Sequence, residues 1–451
     1  MTASVGVHHD ALLHAATAAR AIRPDVPLAM ATLVDVEGSS FRQPGARLLV
    51  DAEQRCLAGA VSGGCLEADV AARAAAVCAS GNAEYLVYDL RDDLQAIWGF
   101  DAACDGVAHI LLEPLTNLDW LSAAVHTRRS RSGGALLTVV HQQSIDASDD
   151  RKSVHDAQRP RAKSTGPASN VQAITHALRA RTIGVVGRDA APLGESEARR
   201  ESSRSRVDAD SSDIADIVDT STTAIVEAAD ALLHTTFETQ RASSALVVVN
   251  RRQLRLFADP LPPAVALHVI GAGRGAEAFA RIASSIGWQV TVVDHRPALL
   301  EALTLPAGVT CRNARPEQAV DLVADSASAV ALMTHIFDID RQWLEALLPQ
   351  GHGYIGVLGS RQRAERLLAA VPHASNVTNR TPLHAPIGLD IGGESPESIA
   401  LATIAEIHAV MHARPGGPLR ERRSPIHDRT PVPTIKPEVL RPTNPSCRLP
   451  E

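Results

Sequence analysis

Between Val265 and His412 short apolar runs alternate with helix-period segments, and this alternation constrains the fold more than any other feature of the chain. Leu267 to Ile270, Gln289 to Val293, Val309 to Arg312, Ala329 to Met333 and Tyr354 to Leu358 read as strands. Helical stretches lie between them, at Gly275 to Ile286, Leu299 to Leu303, Pro316 to Val323 and Arg341 to Leu348. That order predicts a parallel, doubly wound sheet with helices on both faces. At its first strand-to-helix turn stands Gly271-Ala272-Gly273-Arg274-Gly275-Ala276, a G-x-G-x-x-A pattern. There Gly271 permits the tight turn, Gly273 lets a phosphate approach the backbone, and the small Ala276 allows close helix–strand packing. Asp294 ends the second strand, where an acid that binds ribose is expected. A Rossmann turn that binds nothing is the plainer alternative.

Polar groups follow the other strands directly. Asp294-His295-Arg296, Thr334-His335 and Gly359-Ser360-Arg361 all fall at the carboxyl edge of the predicted sheet, where open α/β sheets bind ligands. Arg296 and Arg361 have the fork geometry to hold phosphates, His335 is an open acid–base candidate, and Asp340 reads as a cap on the next helix. Further on, Leu389 to Glu397 leads into a helix that Ser395 caps and Pro396 begins.

The first ~115 residues read as a smaller α/β unit. It holds a helix from Asp10 to Ile22, strands at Pro27 to Val34 and Ala46 to Val50, a glycine-rich corner at Ala58 to Val61, a helix from Cys65 to Cys78, and strands at Ala83 to Asp89 and Val107 to Glu113. Residues 116–264 form a middle β-region with strands at Ala135 to Val140, Thr182 to Val186 and Leu246 to Asn250. The tract 141–212 is rich in Ser, Asp, Arg, Gln and Pro and cannot repay the entropy of ordering, so it is expected to be a disordered insertion. Residues 265–412 form the doubly wound domain and 413–451 a disordered, Pro- and Arg-rich tail.

Composition removes several functions. With 44 basic against 51 acidic residues the net charge is −7, which disfavours nucleic-acid and anionic-membrane partners. The three lysines, Lys152, Lys163 and Lys436, all lie in the polar tracts, so neither Schiff-base chemistry nor a Walker-type phosphate cradle is expected. No apolar run has the length of a membrane span and the first residues lack a basic signal-peptide start, so a cytoplasmic location is expected. The six cysteines include no C-x-x-C pair and read as free thiols.

One thiol stands apart. Ser62-Gly63-Gly64-Cys65-Leu66-Glu67 places Cys65 in the expected first turn of a helix. There the helix dipole, with Arg42 and Arg47 nearby, favours a thiolate able to act as nucleophile or soft-metal ligand. Gly63 and Gly64 leave room for a bulky ligand against the backbone. Cys56, Cys78 and Cys311 read as small buried hydrophobes.

These stretches together resemble the XdhC/CoxI family, accessory proteins of xanthine dehydrogenase and related molybdenum hydroxylases. The resemblance rests on Glu37 to Arg47 with Ser62 to Glu67, on Val269 to Gly273, Val293 to Pro297, Thr334-His335 and Tyr354 to Arg361, and on Pro386 to Gly392. It implies a chaperone that binds molybdenum cofactor, as molybdopterin or its dinucleotide form. Such a chaperone protects the cofactor during sulfuration by a cysteine desulfurase and inserts it into an apo-molybdenum hydroxylase. A homodimer is implied as well. Cys65 would be the molybdenum ligand. Cys104 would be a second, although its setting here is Ala103-Cys104-Asp105-Gly106 where the family has Gly-Cys-Gly-Gly. The rival reading is an oxidoreductase using NAD(P), carried by the glycine turn and Asp294.

Overall fold

A computed structural model of the chain describes residues 8–38, 40–90, 106–144, 184–187, 228–249, 252–371 and 383–423. They divide into two compact units, 8–262 and 263–423.

The first unit contains two antiparallel sheets. One has the order β3-β2-β1-β5-β4, with β1 Leu28–Gly38, β2 Arg47–Asp51, β3 Cys56–Gly59, β4 Glu84–Asp89 and β5 Gly106–Pro114. Alternation along these strands sorts its side chains. Ala29, Ala31, Leu33, Leu48, Val50, Ile110 and Leu112 turn to one face and pack under helix α2, Glu67–Ser80, with Val70, Ala74 and Val77. Each large aliphatic chain buried there contributes about 1.5–3 kcal/mol. Leu28, Met30 and Leu49 turn to the other face, against Leu12 and Ala16 of α1, His8–Ile22, and Leu121 of α3, Asp119–Arg129. The expected corner at Ala58 to Val61 is in part strand β3, and Cys56 on it is exposed, not a core residue.

The second sheet runs β7-β6-β9-β8, with β6 Gly134–Ser144, β7 Gly184–Gly187, β8 Ser243–Val249 and β9 Arg252–Leu261. A helix α4 over 228–239 covers one face through Ala229, Leu232 and Leu233. On the opposite face Val140 and Phe257 meet Val34 and Leu111 of the first sheet. Strands β6 and β7 carry regular backbone into the tract expected to be disordered; its remaining residues, 145–183 and 188–212, lie outside the described residues, as do Cys104, Cys447 and all three lysines. Strand β9 and helices α3 and α4 have no counterpart in the sequence pattern.

The second unit is the doubly wound sheet. Its strands are β10 Ala266–Ile270, β11 Gln289–Asp294, β12 Thr310–Asn313, β13 Ser328–Leu332, β14 Tyr354–Val357 and β15 Leu383–His384. All pair in parallel in the order β12-β11-β10-β13-β14-β15. This is the Rossmann order, with its switch point between β10 and β13. Strands β10, β13 and β14 are buried at every residue, as a parallel sheet covered on both faces requires. On one face lie α5, Ala276–Ser285, α6, Pro297–Glu301, and α9, Pro396–Met411, with Phe279, Ile404 and Ile407 in the core. On the other lie α7, Phe337–Leu347, and α8, Arg361–Ala370, with Trp343, Leu347 and Leu367. Ser395 caps α9 by accepting from the Ser398 N–H at 3.2 Å, and Pro396 begins the helix. Residues 413–423, expected to open a disordered tail, include a short 3-10 turn at Leu419–Glu421, and the tail from 424 lies outside the described residues. No helix among the described residues is long and apolar enough to cross a membrane.

Candidate functional site

Helix α2 begins at Glu67, after Leu66, so Cys65 sits in the loop before the helix and not in its first turn. Its side chain is half-buried against the α2 core cluster. The loop is tied by its own polar groups. Glu67 Oε1 accepts the backbone N–H groups of Val61, at 3.1 Å, and Ser62, at 2.8 Å, while Oε2 accepts the Ser62 hydroxyl. Ser62 Oγ in turn accepts the N–H groups of Gly64 and Leu66, both at 3.1 Å. Burial alone would raise the Glu67 pKa, but these donors outweigh it and hold the carboxyl below its ordinary value. Four backbone N–H groups before the helix are thus satisfied by two side chains. The spacing of Ser62 and Glu67 around the glycines was the available signal for this clasp.

Gly64 adopts φ +117 in open space, with no atom within 4 Å of where a Cβ would stand. Gly63 faces the ring of Phe41, which lies 3.4 Å from its would-be Cβ, and 62% of Phe41 is exposed. The Arg42 guanidinium carbon stands 5.7 Å from the centre of that ring, and its buried Nε has no hydrogen-bond partner. An exposed aromatic face and a guanidinium therefore flank the glycine–cysteine loop. Arg47 does not belong to it. Leu48 and Val50 share the core that Cys65 packs against, so Arg47 points through the opposite face of β2, where it is 1% exposed. Among the described residues no group of three or more His, Cys, Asp and Glu is arranged to hold a metal.

In the second unit the glycine turn has the expected geometry. Gly271 has φ +120, and a Cβ there would lie 2.5 Å from the Met333 carbonyl oxygen. A Cβ on Gly273 would meet nothing within 4 Å, and Ala276 is fully buried at the start of α5. Asp294 stands at the end of β11, 2% exposed, but it is not idle. Its Oδ2 accepts the Ala272 N–H at 2.8 Å and Arg296 Nη2 at 2.9 Å; its Oδ1 accepts the Arg296 N–H and Nε, both at 2.9 Å. Burial works against ionisation of Asp294, yet these four donors and the Arg296 charge keep its pKa below the usual carboxylate range. Arg296 is thereby held on Asp294, with 39% of its side chain exposed.

His335 is exposed in a left-handed conformation, φ +61, a strained state of about 1–3 kcal/mol that recurs at functional sites. Asp340 is not the N-cap of α7, a position held by Ile336. It lies fully buried within the first turn, accepts the Thr334 hydroxyl at 2.6 Å, and pairs with Arg363 at 2.7 Å. Ser360 caps α8 by accepting the Arg363 N–H at 3.2 Å, and Arg361 is exposed beside it. The first turns of α7 and α8 are thus joined through Asp340 and Arg363, a link the sequence did not disclose. The side chains of Arg274 and Arg361 are exposed. Cys311, on edge strand β12, is exposed and not a core residue.

A Rossmann sheet in one unit and a clasped glycine–cysteine loop on an antiparallel α/β sheet in the other define a protein of two units, one with a nucleotide-type fold and one carrying an ordered cysteine loop. Both units match the XdhC and CoxI family: residues 21–89 match the model of the XdhC and CoxI family, and residues 267–407 that of the XdhC Rossmann domain. It is 27% identical over 383 residues to a Bacillus subtilis (strain 168) protein named as a probable xanthine dehydrogenase subunit, covering 84% of this chain and 91% of that protein. It is 30% identical over 156 residues to the uncharacterised protein YqeB of Escherichia coli (strain K12), covering 34% and 28% of the two. A crystal structure described as a xanthine dehydrogenase from Bacillus halodurans shares the fold, with a TM-score of 0.55 at 22% identity, over 90% of this chain and 96% of the other.

Proposed function

We propose that the protein is an accessory factor that binds molybdenum cofactor, shields it during sulfuration and passes it to a xanthine dehydrogenase-type enzyme. The XdhC and CoxI match and the relative named as a xanthine dehydrogenase subunit support the accessory role. The cargo reading is carried by one observation: a half-buried thiol follows a glycine in open space. The donor set suits that cargo. A cysteine sulfur is a soft ligand for molybdenum, the exposed Phe41 ring offers a planar face, and Arg42 supplies a cation beside it. The metal and its pterin supply the redox chemistry only in the client enzyme; here the chain's residues bind, orient and limit solvent access. Partners in this reading are the apo-hydroxylase, a cysteine desulfurase and a second copy of the chain.

The test is molybdenum content after co-expression with a functioning molybdopterin pathway. Wild-type protein is expected to retain molybdenum and cofactor fluorescence through purification, and Cys65→Ala to lose most of both. Equal retention by the variant removes Cys65 from the mechanism.

A further inference from the structure

A Rossmann acid at the end of the second strand ordinarily accepts hydrogen bonds from ribose hydroxyls. An ionised carboxylate has about four lone-pair sites. At Asp294 four N–H donors already fill them: Ala272 N, Arg296 N, Arg296 Nε and Arg296 Nη2, at 2.8, 2.9, 2.9 and 2.9 Å. No acceptor capacity remains for a diol, and releasing Asp294 for one would break a bidentate ion pair beneath the surface. The guanidinium is in the opposite condition. Of its five N–H donors, the Nε and one Nη2 hydrogen are spent on Asp294, leaving three on the outer edge. That edge belongs to a side chain 39% exposed, so it is open to a ligand without disturbing the pair.

We propose that Asp294 is a positioning residue for Arg296, and that Arg296 reads a phosphomonoester where other Rossmann sites read a free ribose diol. The class of ligand is a dianionic phosphate ester, borne either on a nucleotide ribose or on a pterin side chain. The outer guanidinium edge matches two phosphate oxygens in the bidentate geometry arginine favours. This inference does not involve Cys65, so its outcome and that of the molybdenum-retention test are independent.

Three probes bound to the full chain by calorimetry test it: 2′,5′-ADP, 5′-AMP and neopterin 3′-phosphate. The first two differ only in a 2′-phosphate replacing a hydroxyl. Wild-type protein is expected to bind 2′,5′-ADP or neopterin 3′-phosphate at least about 10-fold more tightly than 5′-AMP, the size of a charge-assisted hydrogen-bond pair. In Arg296→Ala the advantage of the preferred probe over 5′-AMP should be lost, because the guanidinium is gone and Asp294 regains acceptor sites for a ribose diol. An unchanged far-UV circular dichroism spectrum shows that the fold survives. Asp294→Asn should erase most of the preference in the same way, because Arg296 loses its anchor. Binding of the nucleotide alone assigns the phosphate to a ribose, and binding of the pterin alone assigns it to a pterin. Tighter binding of 5′-AMP, a preference that survives Arg296→Ala, or binding of none of the three overturns the proposal.

Discussion

Arg47 Nη1 on β2 donates to Asp259 Oδ2 on β9 at 2.5 Å, and the two side chains are 1% and 0% exposed. The pair spans 212 residues of sequence and links the two antiparallel sheets of the first unit. Arg47 also donates to the Gly45 carbonyl at 3.1 Å and lies 5.6 Å from the centre of the Trp120 ring. Removing one member of a buried pair leaves the other charged and uncompensated, at a cost of about 3–5 kcal/mol. Arg47→Met alone should lower the stability of residues 8–262 by about that amount, whereas Arg47→Met with Asp259→Leu should recover most of it. Hydrogen exchange of β2 and β9 amides in the intact protein measures both. Equal losses in the single and double variants would show that packing, not the ion pair, sets the cost.

Glu113 on β5 gives the same unit a pH dependence. Its buried Oε1 has no hydrogen-bond partner, and burial pushes the carboxyl up to about 7 despite the attraction of Arg47. An unfolded glutamate titrates near 4.3. Between about 4.3 and 7 the folded state therefore binds more protons than the unfolded one, and the contribution of Glu113 declines as pH rises. The full decline is up to about 4 kcal/mol. Glu113→Gln is expected to remove that slope and to be more stable than wild type at pH 8. Parallel denaturation curves for the two proteins from pH 5 to 8 would contradict this.

The Rossmann unit is expected to respond in the opposite sense. His352 is fully buried, its Nδ1 is 2.8 Å from Ser328 Oγ, and burial, reinforced by nearby His268, pulls its pKa down to about 4. The unfolded histidine titrates near 6.5, so between about 6.5 and 4 the unfolded state binds more protons. Stability from this group is present above that window and is lost as pH falls through it. Region-resolved hydrogen exchange at pH 5 and pH 7.5 should show β13 and β14 less protected at the lower pH. His352→Gln should reduce the difference. Protection factors in these strands that do not change with pH would contradict it.

What the sequence disclosed and what it hid follow one physical divide. The strands of the second unit are buried on both faces, so they stand out as continuous apolar runs, and the glycine turn and the Ser395 cap are local patterns. Strand β9 is masked because it carries Arg255 and Asp259, charges that look misplaced in a core strand. They are tolerated because Asp35 and Arg47, more than 200 positions away in the chain, neutralise them. Nearness in sequence links Arg47 to Cys65, but the alternation of a strand sends it to the other face. At Asp294 spacing locates the acid, whereas the saturation of its oxygens by Arg296 is visible only in three dimensions.

The Ser62–Glu67 clasp predicts how the thiol loop responds to a single atom. Glu67 Oε1 accepts two backbone N–H groups and Oε2 the Ser62 hydroxyl, which leaves Ser62 Oγ free to accept from Gly64 and Leu66. In Glu67→Gln one oxygen becomes an NH₂ donor. Directed at Ser62 it reverses the hydroxyl's hydrogen bond, and directed at Val61 and Ser62 it faces two other donors. Either orientation costs about 1–3 kcal/mol locally, enough to raise the open population of the loop about 5- to 150-fold. Alkylation of Cys65 by iodoacetamide, followed by mass spectrometry of its peptide, should accelerate accordingly. The Cys311 peptide, from the separate Rossmann unit, should react at an unchanged rate and serves as the internal control. An unchanged Cys65 rate in the variant would mean that the glycine backbone alone, not the carboxylate, fixes the access of reagents to the sulfur.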